Sequence, residues 1–413
     1  MRRRPSAVSG RPPQLQSLNK QPMKIESIDL FYLSMPEVLD IGDGSQDALI
    51  VRVRAGGLEG FGECEASPLT TIAAMVCPLS HSACKPVQAS VLGQELNEPA
   101  DVLRIGRLVR QNSFDLLQAD HALSGVDMAL WDLLGKKRGE PVWRMLGWNE
   151  SHGKEPYASL LFGDTPQETL EKGRAMRALG YRAIKFGWGP YGWGTLAQDE
   201  DQVHAAREGI GADGILLVDA GTVFGDDVEA AALRVPSLIE CGATWFEEPF
   251  VKDAFDAHAR LAARCGPVKL AGGEGSHNGY MAQHMIDYAA LGFVQIDAGR
   301  IGGLAVARDV AHYADAKGAI YVNHTFTSHL ALSASLQPFA GLREHTISEY
   351  PVELKPLARD LTHTRIERDA DGLVRAPDAP GLGVDVDITA VRPYLVDAEI
   401  RAGDKILYRT PQI

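Results

Sequence analysis

Residues 183–187 are AIKFG and residues 215–220 are ILLVDA, and these two short apolar runs introduce the repeat that decides the fold. Six more runs share the pattern, with helical stretches between them: YASLLF (157–162), TWFEEP (244–249), VKLAGGE (268–274), FVQIDAG (293–299), AIYVNH (319–324) and HTISEY (345–350). Near-continuous apolar strands alternating with helices are typical of a parallel sheet buried on both faces. The pattern also allows an open doubly wound sheet, but eight units favour an α/β fold of the (β/α)8 type, a modified TIM barrel over residues 151–355.

The segment before the barrel predicts a module of a different kind. Residues 23–150 begin with short alternating strands and end with the helical pattern DMALWDLLGKKRGEPVWRMLG (127–147). Two stretches of this module, 34–47 and 63–80, are polar to mixed in character and are interpreted as loops. This composition predicts an N-terminal α+β capping domain.

The two ends of the chain lie outside both of these patterns. Residues 356–413 return to short strands and turn-rich loops, and we expect them to fold back and complete the capping domain. Residues 1–22 are basic, rich in Pro and Ser, and lack the apolar core of a secretory signal. They are interpreted as a disordered or non-native extension.

Composition excludes several classes of function. A net charge of −13 over 413 residues argues against a nucleic-acid partner, because such proteins cluster Lys and Arg. The sequence has no apolar run of about 20 residues, which argues against a membrane span. The five cysteines are odd in number and form no CxxC motif, a pattern typical of a reducing compartment. We therefore expect a cytoplasmic protein.

Ionisable residues recur at the carboxyl ends of the predicted barrel strands, where barrel enzymes place catalysis. They are Lys185, Asp219, Glu247 or Glu248, Glu274, Asp297, His324 and Glu349. A single acid after a strand is usually a helix cap or a surface charge. Seven such residues in consecutive units are expected to converge on one mouth of the barrel and to act together.

Three successive strand ends carry carboxylates, which would repel one another without a counter-ion. Asp219 is followed 28 residues later by Glu247, and Glu274 follows after a further 27. An all-oxygen set of this kind suits Mg²⁺ or Mn²⁺ better than Zn²⁺. Strand alternation should let only one of Glu247 and Glu248 point into the barrel, and alternation alone does not say which.

The next strand ends pair an acid with a histidine. A carboxylate such as Asp297 can fix the tautomer of a neighbouring imidazole and raise its basicity, which prepares a general base. His324 at the following strand end is the candidate base. His329 competes with it in sequence but falls within a helical pattern, where a structural role is expected.

The ordered set of motifs resembles the enolase superfamily, in particular its mandelate racemase subgroup. The segments that carry the resemblance are WFEEP (245–249), AGGE (271–274), QIDAGRIGG (295–303), NHTFTSHLALSAS (323–335), SEYP (348–351), DMALWDLLGKKRGEPVWRMLG (127–147) and PDAPGLGVDVD (377–387). The resemblance implies one Mg²⁺ per chain, with Mn²⁺ as a possible substitute, held by Asp219, Glu247 and Glu274. It further implies that Asp297 and His324 form the catalytic dyad and that Glu349 hydrogen-bonds the substrate carboxylate.

Two positions depart from the pattern of that family. Its second strand usually ends Lys-x-Lys, whereas this chain has Lys185-Phe-Gly187, so the second basic residue is absent. Its third strand commonly ends Asp-x-Asn, whereas this chain has Asp219-Ala-Gly221. With one strong base in view, the resemblance favours elimination over inversion at carbon.

The expected activity is Mg²⁺-dependent removal of the proton α to a carboxylate, followed by dehydration of a sugar acid to a 2-keto-3-deoxy acid. Lys185 would bind and polarise the substrate carboxylate. A racemase or epimerase of the same superfamily is the first alternative. A Schiff-base aldolase that uses Lys185 as its nucleophile and a metal-binding barrel without catalysis are alternatives of other classes.

The expected partner is a small carboxylate substrate, and the resemblance also implies a homo-oligomer. Polar capping loops suit a polyhydroxy acid. Candidate substrate-binding residues are Ser45, Thr70, Trp188, Tyr191 and Arg300.

Overall fold

The structure is a computed structural model that describes residues 22–65 and 67–413. The extension predicted over residues 1–22 therefore lies outside the described residues, apart from Pro22. The chain forms a three-stranded antiparallel sheet, an eight-stranded parallel sheet and a two-stranded hairpin.

The N-terminal capping region pairs the three-stranded sheet with helices. Its elements are β1 (Ile25–Ser34), β2 (Asp47–Ala55), β3 (Leu58–Cys64), α1 (Pro68–Val76), α2 (Pro99–Asn112), α3 (Ala119–Arg138) and α4 (Val142–Met145). Helix α3 lies directly on β3 because two strand positions are glycines. A Cβ at Gly60 would stand 2.1 Å from the Ala129 carbonyl oxygen, and one at Gly62 would stand 2.1 Å from that of Gly125.

One segment of the capping region differs from its predicted structure. Residues 63–80 were expected to be a loop, but β3 extends to Cys64 and α1 occupies Pro68–Val76. Pro68 begins the helix, a position where its missing N–H costs nothing. The mixed polar and apolar composition of this stretch concealed a helix whose buried side includes Ile72, Met75 and Val76.

The eight-stranded sheet confirms the predicted barrel fold. Its strands are β4 (Glu155–Leu161), β5 (Ala183–Gly187), β6 (Ile215–Asp219), β7 (Ala243–Glu247), β8 (Lys269–Gly272), β9 (Phe293–Asp297), β10 (Ile320–His324) and β11 (Ile347–Pro351). The helices between them are α5 (Pro166–Ala178), α6 (Leu196–Ile210), α7 (Val228–Ala232), α8 (Val235–Glu240), α9 (Phe255–Ala262), α10 (Gly279–Tyr288), α11 (Leu304–Lys317) and α12 (His329–Leu336). All neighbouring strands pair in parallel, and β11 pairs with β4.

A buried side chain joins the two edge strands of this sheet. The sheet order runs from β10 through β4 to β11, so β10 and β11 share no backbone ladder. Asn323 on β10 accepts a hydrogen bond from the Glu349 backbone N–H of β11 at 3.0 Å and donates to the Glu349 carbonyl oxygen at 3.3 Å. This amide replaces ladder hydrogen bonds at the seam and closes the barrel.

The last segment of the chain contacts the first sheet. It contains α13 (Pro356–Asp360), β12 (Glu399–Ala402) and β13 (Lys405–Arg409). The Tyr408 hydroxyl donates to the Leu30 carbonyl oxygen at 2.8 Å, and the Val396 N–H donates to that of Tyr32 at 2.9 Å. Among the helices of residues 22–65 and 67–413, none is both long enough and apolar enough to cross a membrane.

Candidate active site

A cavity of about 230 Å³ opens at the carboxyl ends of the barrel strands. Its lining combines barrel residues with residues of the capping region: Ile41, Gly42, Asp43, Gly44, Glu65, Ser159, Leu160, Leu161, Lys185, Gly187, Trp188, Asp219, Glu274, Arg300, His324, Phe326 and Glu349. The strands are parallel, so their carboxyl ends all lie at the same end of the barrel. This brings the predicted strand-end residues together.

Lys185 lies at the centre of a cluster of buried carboxylates. Its Nζ is 2.7 Å from Oε1 of Glu247, 3.1 Å from Oε1 of Glu349 and 3.4 Å from Oδ2 of Asp219. Burial alone would lower the pKa of Lys185, but the charges of Glu247 and Glu349 outweigh it and raise the pKa well above its usual value. Lys185 is therefore a fixed cation.

His324 and Asp297 form the predicted dyad. Register places the two residues side by side at the ends of β10 and β9, and His324 Nδ1 is 2.7 Å from Asp297 Oδ2. The Gly299 N–H donates to the other Asp297 oxygen at 2.6 Å, which fixes the carboxylate. Asp297 can thus hold the imidazole with its second nitrogen, Nε2, toward the cavity.

The pKa of His324 is set by the acids around it. Nε2 lies 3.0 Å from Glu274 Oε2 and 3.9 Å from Glu349 Oε2. Burial would lower the pKa, but the charges of Glu274 and Glu349 and the hydrogen bonds to Asp297 and Glu274 raise it well above its usual value. With Glu274 in this position, His324 keeps a proton on Nε2.

Arg300 connects the barrel site to the capping region. Its Nε donates to Glu65 Oε2 at 2.6 Å, and its Nη1 donates to Glu274 Oε1 at 3.2 Å. His121 Nε2 contacts the Glu65 carbonyl oxygen as well. The sequence did not reveal Glu65 as a site residue, because it follows a strand of the other module and belongs to no barrel repeat.

The candidate metal ligands fit a hard divalent cation in donor type. Asp219 and Glu247 pair in register at the ends of β6 and β7 and both approach Lys185 Nζ. Glu247 Oε2 is buried without a hydrogen-bond partner in the described part of the chain. The pKa of Glu247 is raised well above its usual value by burial and the charge of Asp219, despite the nearby ammonium. A further cation bound beside Glu247 would stabilise the ionised form of its carboxylate.

The side chains as placed do not form a finished metal site. Within residues 22–65 and 67–413, no group of three or more His, Cys, Asp or Glu side chains is arranged to hold an ion. Glu274 instead contacts His324 and Arg300. Metal binding at Asp219, Glu247 and Glu274 stays a prediction.

Glu248 is the other glutamate that the strand pattern offered at the end of β7. Strand β7 ends at Glu247, and the next residue has a φ of +37°. This backbone angle breaks the alternation and leaves Glu248 buried as well. Burial and the charges of Glu274 and Asp219 raise the pKa of Glu248 to about 8.

Gly187, which stands where the family pattern has a second lysine, lies close to Asp219. Gly187 pairs in register with Asp219, and a Cβ at Gly187 would stand 2.8 Å from both Cβ and Oδ2 of Asp219. Any side chain there would displace the Asp219 carboxylate. The cavity therefore offers one imidazole base, with no room for a second base from this strand position.

The five candidate substrate-binding residues separate into two groups. Trp188 and Arg300 line the cavity. Tyr191 is buried beside Phe162, and Ser45 donates to Asp43 Oδ1 at 2.6 Å. Thr70 is exposed on α1 and donates to the Ser67 carbonyl oxygen. These last three residues do not line the cavity.

His329 has the structural role that its helical pattern predicted. It is buried at the start of α12, and its Nδ1 accepts a hydrogen bond from the Ile366 N–H at 3.0 Å. Of the two histidines, His324 is therefore the one that contacts Asp297.

Family models match most of the chain. The model for the enolase C-terminal domain-like family matches residues 168–391, and the model for the mandelate racemase/muconate lactonizing enzyme N-terminal domain matches residues 34–147. The first match covers the barrel strands from β5 to β11, and the second covers the capping region from β2 to α4.

Three curated relatives show the range of activities near this chain. D-galactarolactone cycloisomerase of Agrobacterium fabrum is 31% identical over 66% of this chain and 73% of its own. Arabinonate dehydratase of Saccharolobus solfataricus is 29% identical over 63% and 68%. N-succinyl-L-Arg/Lys racemase of Bacillus cereus is 24% identical over 92% and 100%.

Solved structures agree with this assignment. A crystal structure described as a predicted mandelate racemase from Rhodobacter sphaeroides is 62% identical, covers 94% of this chain and 100% of its own, and has a TM-score of 0.90. The 3,6-anhydro-D-galactonate cycloisomerase of Zobellia galactanivorans is 25% identical over 90% and 99%, with a TM-score of 0.78. The chain is therefore an enzyme of the enolase superfamily, with the two domains of the mandelate racemase and muconate lactonizing enzyme group.

Proposed function

We propose that this enzyme dehydrates a sugar acid to a 2-keto-3-deoxy acid. The observation that carries the proposal is a single imidazole base, with glycine at the strand position where a second base would stand. Inversion at carbon needs a proton donor on each face, whereas elimination needs one base and a leaving group. Relatives named arabinonate dehydratase and D-galactonate dehydratase support this choice of reaction.

The α-proton is taken by His324 Nε2, while Nδ1–H donates to Asp297. Nε2 must first be released from Glu274, which is also a proposed metal ligand. Asp219, Glu247 and Glu274 would hold Mg²⁺, which when bound stabilises negative charge on the substrate carboxylate. Lys185 adds a fixed positive charge on the same side of the cavity.

The β-hydroxyl then leaves as water. The electrons of the broken C–H bond form a C–C double bond, the C–O bond breaks, and the proton held by His324 joins the leaving oxygen. Tautomerisation of the resulting enol gives the 2-keto-3-deoxy acid. Glu349 is held in place by Ser159 Oγ–H at 2.9 Å and by the Thr325 N–H at 2.7 Å, which positions it against the substrate.

The Schiff-base alternative is not favoured by the charge of Lys185. A nucleophilic amine must be neutral, and three carboxylates within 3.4 Å hold Lys185 as an ammonium. Borohydride trapping of substrate on Lys185, or full activity in EDTA, would reverse this conclusion.

The test is a dehydration screen over aldonic and aldaric acids with Mg²⁺, combined with His324→Asn. We expect one or more acids to be converted, and the variant to lose at least about 10²-fold in kcat while keeping its fold and Mg²⁺ affinity. Full activity of His324→Asn would disprove the dyad assignment.

A racemase remains the second candidate, since the Bacillus cereus racemase matches over nearly the whole chain. Reaction in heavy water separates the two. Deuterium at the α-carbon of recovered acid with no ketone formed supports racemisation, whereas ketone formation supports dehydration.

A further inference from the structure

Trp188 stands at the cavity wall in an unusual backbone conformation. It directly follows β5, has a φ of +53° and is 44% exposed, although most tryptophans are largely buried. A bulky non-glycine residue at positive φ is strained and persists only where its surroundings determine it. The indole lines the same cavity as Lys185 and His324.

Two glycines from different parts of the chain make room for this indole. A Cβ at Gly42, in the capping region, would stand 2.6 Å from Cγ and Cδ2 of Trp188. A Cβ at Gly221, two residues after Asp219, would stand 2.7 Å from Cδ2. Gly221, which stands where the family pattern has an amide, therefore leaves the space that the indole of Trp188 occupies.

Two apolar residues share the cavity lining with the indole. Ile41 precedes Gly42 and lines the cavity, and so does Leu161, which pairs in register with Gly187. Lys185 and Arg300 are the only Lys or Arg side chains that line it within the described residues, and each is already bound to two or more carboxylates. A second substrate carboxylate placed against this wall would meet no free cation.

We propose that Trp188, with Ile41 and Leu161, forms a specificity wall that selects acids with one carboxylate and rejects diacids. The inference rests on the proposed function and names its substrate class as aldonic. The carboxylate binds on the Lys185 side, and the C–H face of the far carbon chain packs on the indole. A diacid would lose the hydration of its second carboxylate without gaining an ion pair.

Turnover of a matched pair of acids tests the selectivity. Galactonate and galactarate share configuration and chain length and differ in one terminal carboxylate. We expect kcat/KM for the aldonate to exceed that for the aldarate by at least about 10²-fold. Trp188→Arg supplies a cation at the wall and should lower the aldonate-to-aldarate ratio of kcat/KM at least tenfold. Trp193→Arg adds the same charge at a 78% exposed position outside the cavity and should leave this ratio unchanged.

Binding without turnover separates this inference from the proposed reaction. In a His324→Asn background, galactonate should quench tryptophan fluorescence more strongly than galactarate at equal concentration. Trp188→Phe should abolish that quenching and Trp193→Phe should not. Gly42→Ala keeps the tryptophan but displaces it, so the apparent affinity for galactonate measured by quenching should fall at least tenfold. Gly106→Ala on α2 is the control and should keep the affinity unchanged.

The outcomes are distinct. Selective quenching by the aldonate without turnover of any acid contradicts the proposed dehydration but supports the wall. Equal or stronger quenching by galactarate, no quenching by either acid, or an unchanged ratio in Trp188→Arg overturns the wall whatever the reaction is.

Discussion

Gly187 shows how a single missing side chain can decide a reaction type. Its lack of a Cβ leaves the Asp219 carboxylate in place at the end of the neighbouring strand. The same lack removes the position from which a second base could act. In the proposed mechanism, this residue leaves one candidate metal ligand in place and restricts proton transfer to one face of the substrate.

Gly187→Ala is expected to weaken Mg²⁺ binding. A methyl 2.8 Å from Asp219 must push the carboxylate aside, and such displacements of ligand positions cost about 10–100-fold in metal affinity. Isothermal titration with Mg²⁺ measures the loss. Gly106→Ala adds a methyl that meets the flexible end of Arg110 at 3.2 Å and Leu123 in ordinary contact at 3.9 Å, so it should leave affinity unchanged. Unchanged affinity in Gly187→Ala would contradict the ligand role of Asp219.

His329 is expected to make the protein sensitive to acid. Burial and the charge of Arg365 lower the pKa of His329 from 6.5 to about 4. Between these values the unfolded chain binds more protons than the folded one, so stability falls as pH falls from 6.5 toward 4, by about 3 kcal/mol at most.

The measurement is urea unfolding at pH 7 and pH 4.5. His329→Asn keeps an acceptor for the Ile366 N–H but cannot take up the proton, so it should lose less stability over this range than the unmodified protein. His204→Asn, on the surface of α6, is the control and should follow the unmodified protein. Equal losses in all three proteins would contradict the role of His329.

At the scale of elements, the barrel is closed by the Asn323 side chain at the seam between β10 and β11. Asn323→Ala leaves the buried Glu349 N–H without its acceptor and removes the bond to Ser335 Oγ. We expect a loss of about 2–4 kcal/mol in unfolding free energy and faster amide exchange over residues 347–351. Ser335→Ala removes only the hydrogen bond between Asn323 and Ser335 and should lower the unfolding free energy by about 1 kcal/mol. Equal losses in the two variants would contradict the proposed role of Asn323 in joining β10 to β11.

Element order and strand ends could be predicted from the sequence because the barrel strands are near-continuous apolar runs and seven of the eight runs end in an ionisable residue. AIKFG became β5 without a change in its bounds. The metal and dyad candidates lie together for the same reason. Helix α1, the site position of Glu65 and the burial of Glu248 beside Glu247 could not be predicted. They depend on a helix in a polar stretch, on contact between modules and on a positive φ after β7.

At the scale of the whole molecule, the proposed metal ligands come from successive strands, so an ion bound there should stabilise the fold. At free Mg²⁺ of 100 times Kd the expected gain is about 2.7 kcal/mol, observed as a higher Tm. Asp219→Asn should remove most of this gain, whereas Asp201→Asn on the exposed side of α6 should keep it. A Mg²⁺-dependent rise that survives Asp219→Asn would place the ion elsewhere.

The contact between Tyr408 and Leu30 spans 378 positions of the chain. A ribosome therefore releases β1 and its sheet long before the hairpin that packs on them, while all eight barrel strands are synthesised in between. Until that hairpin is synthesised, the Leu30 carbonyl oxygen lacks the hydrogen bond from Tyr408, and the barrel can be assembled in this interval. The timing of synthesis thus favours a barrel that folds first and a capping region that is finished last.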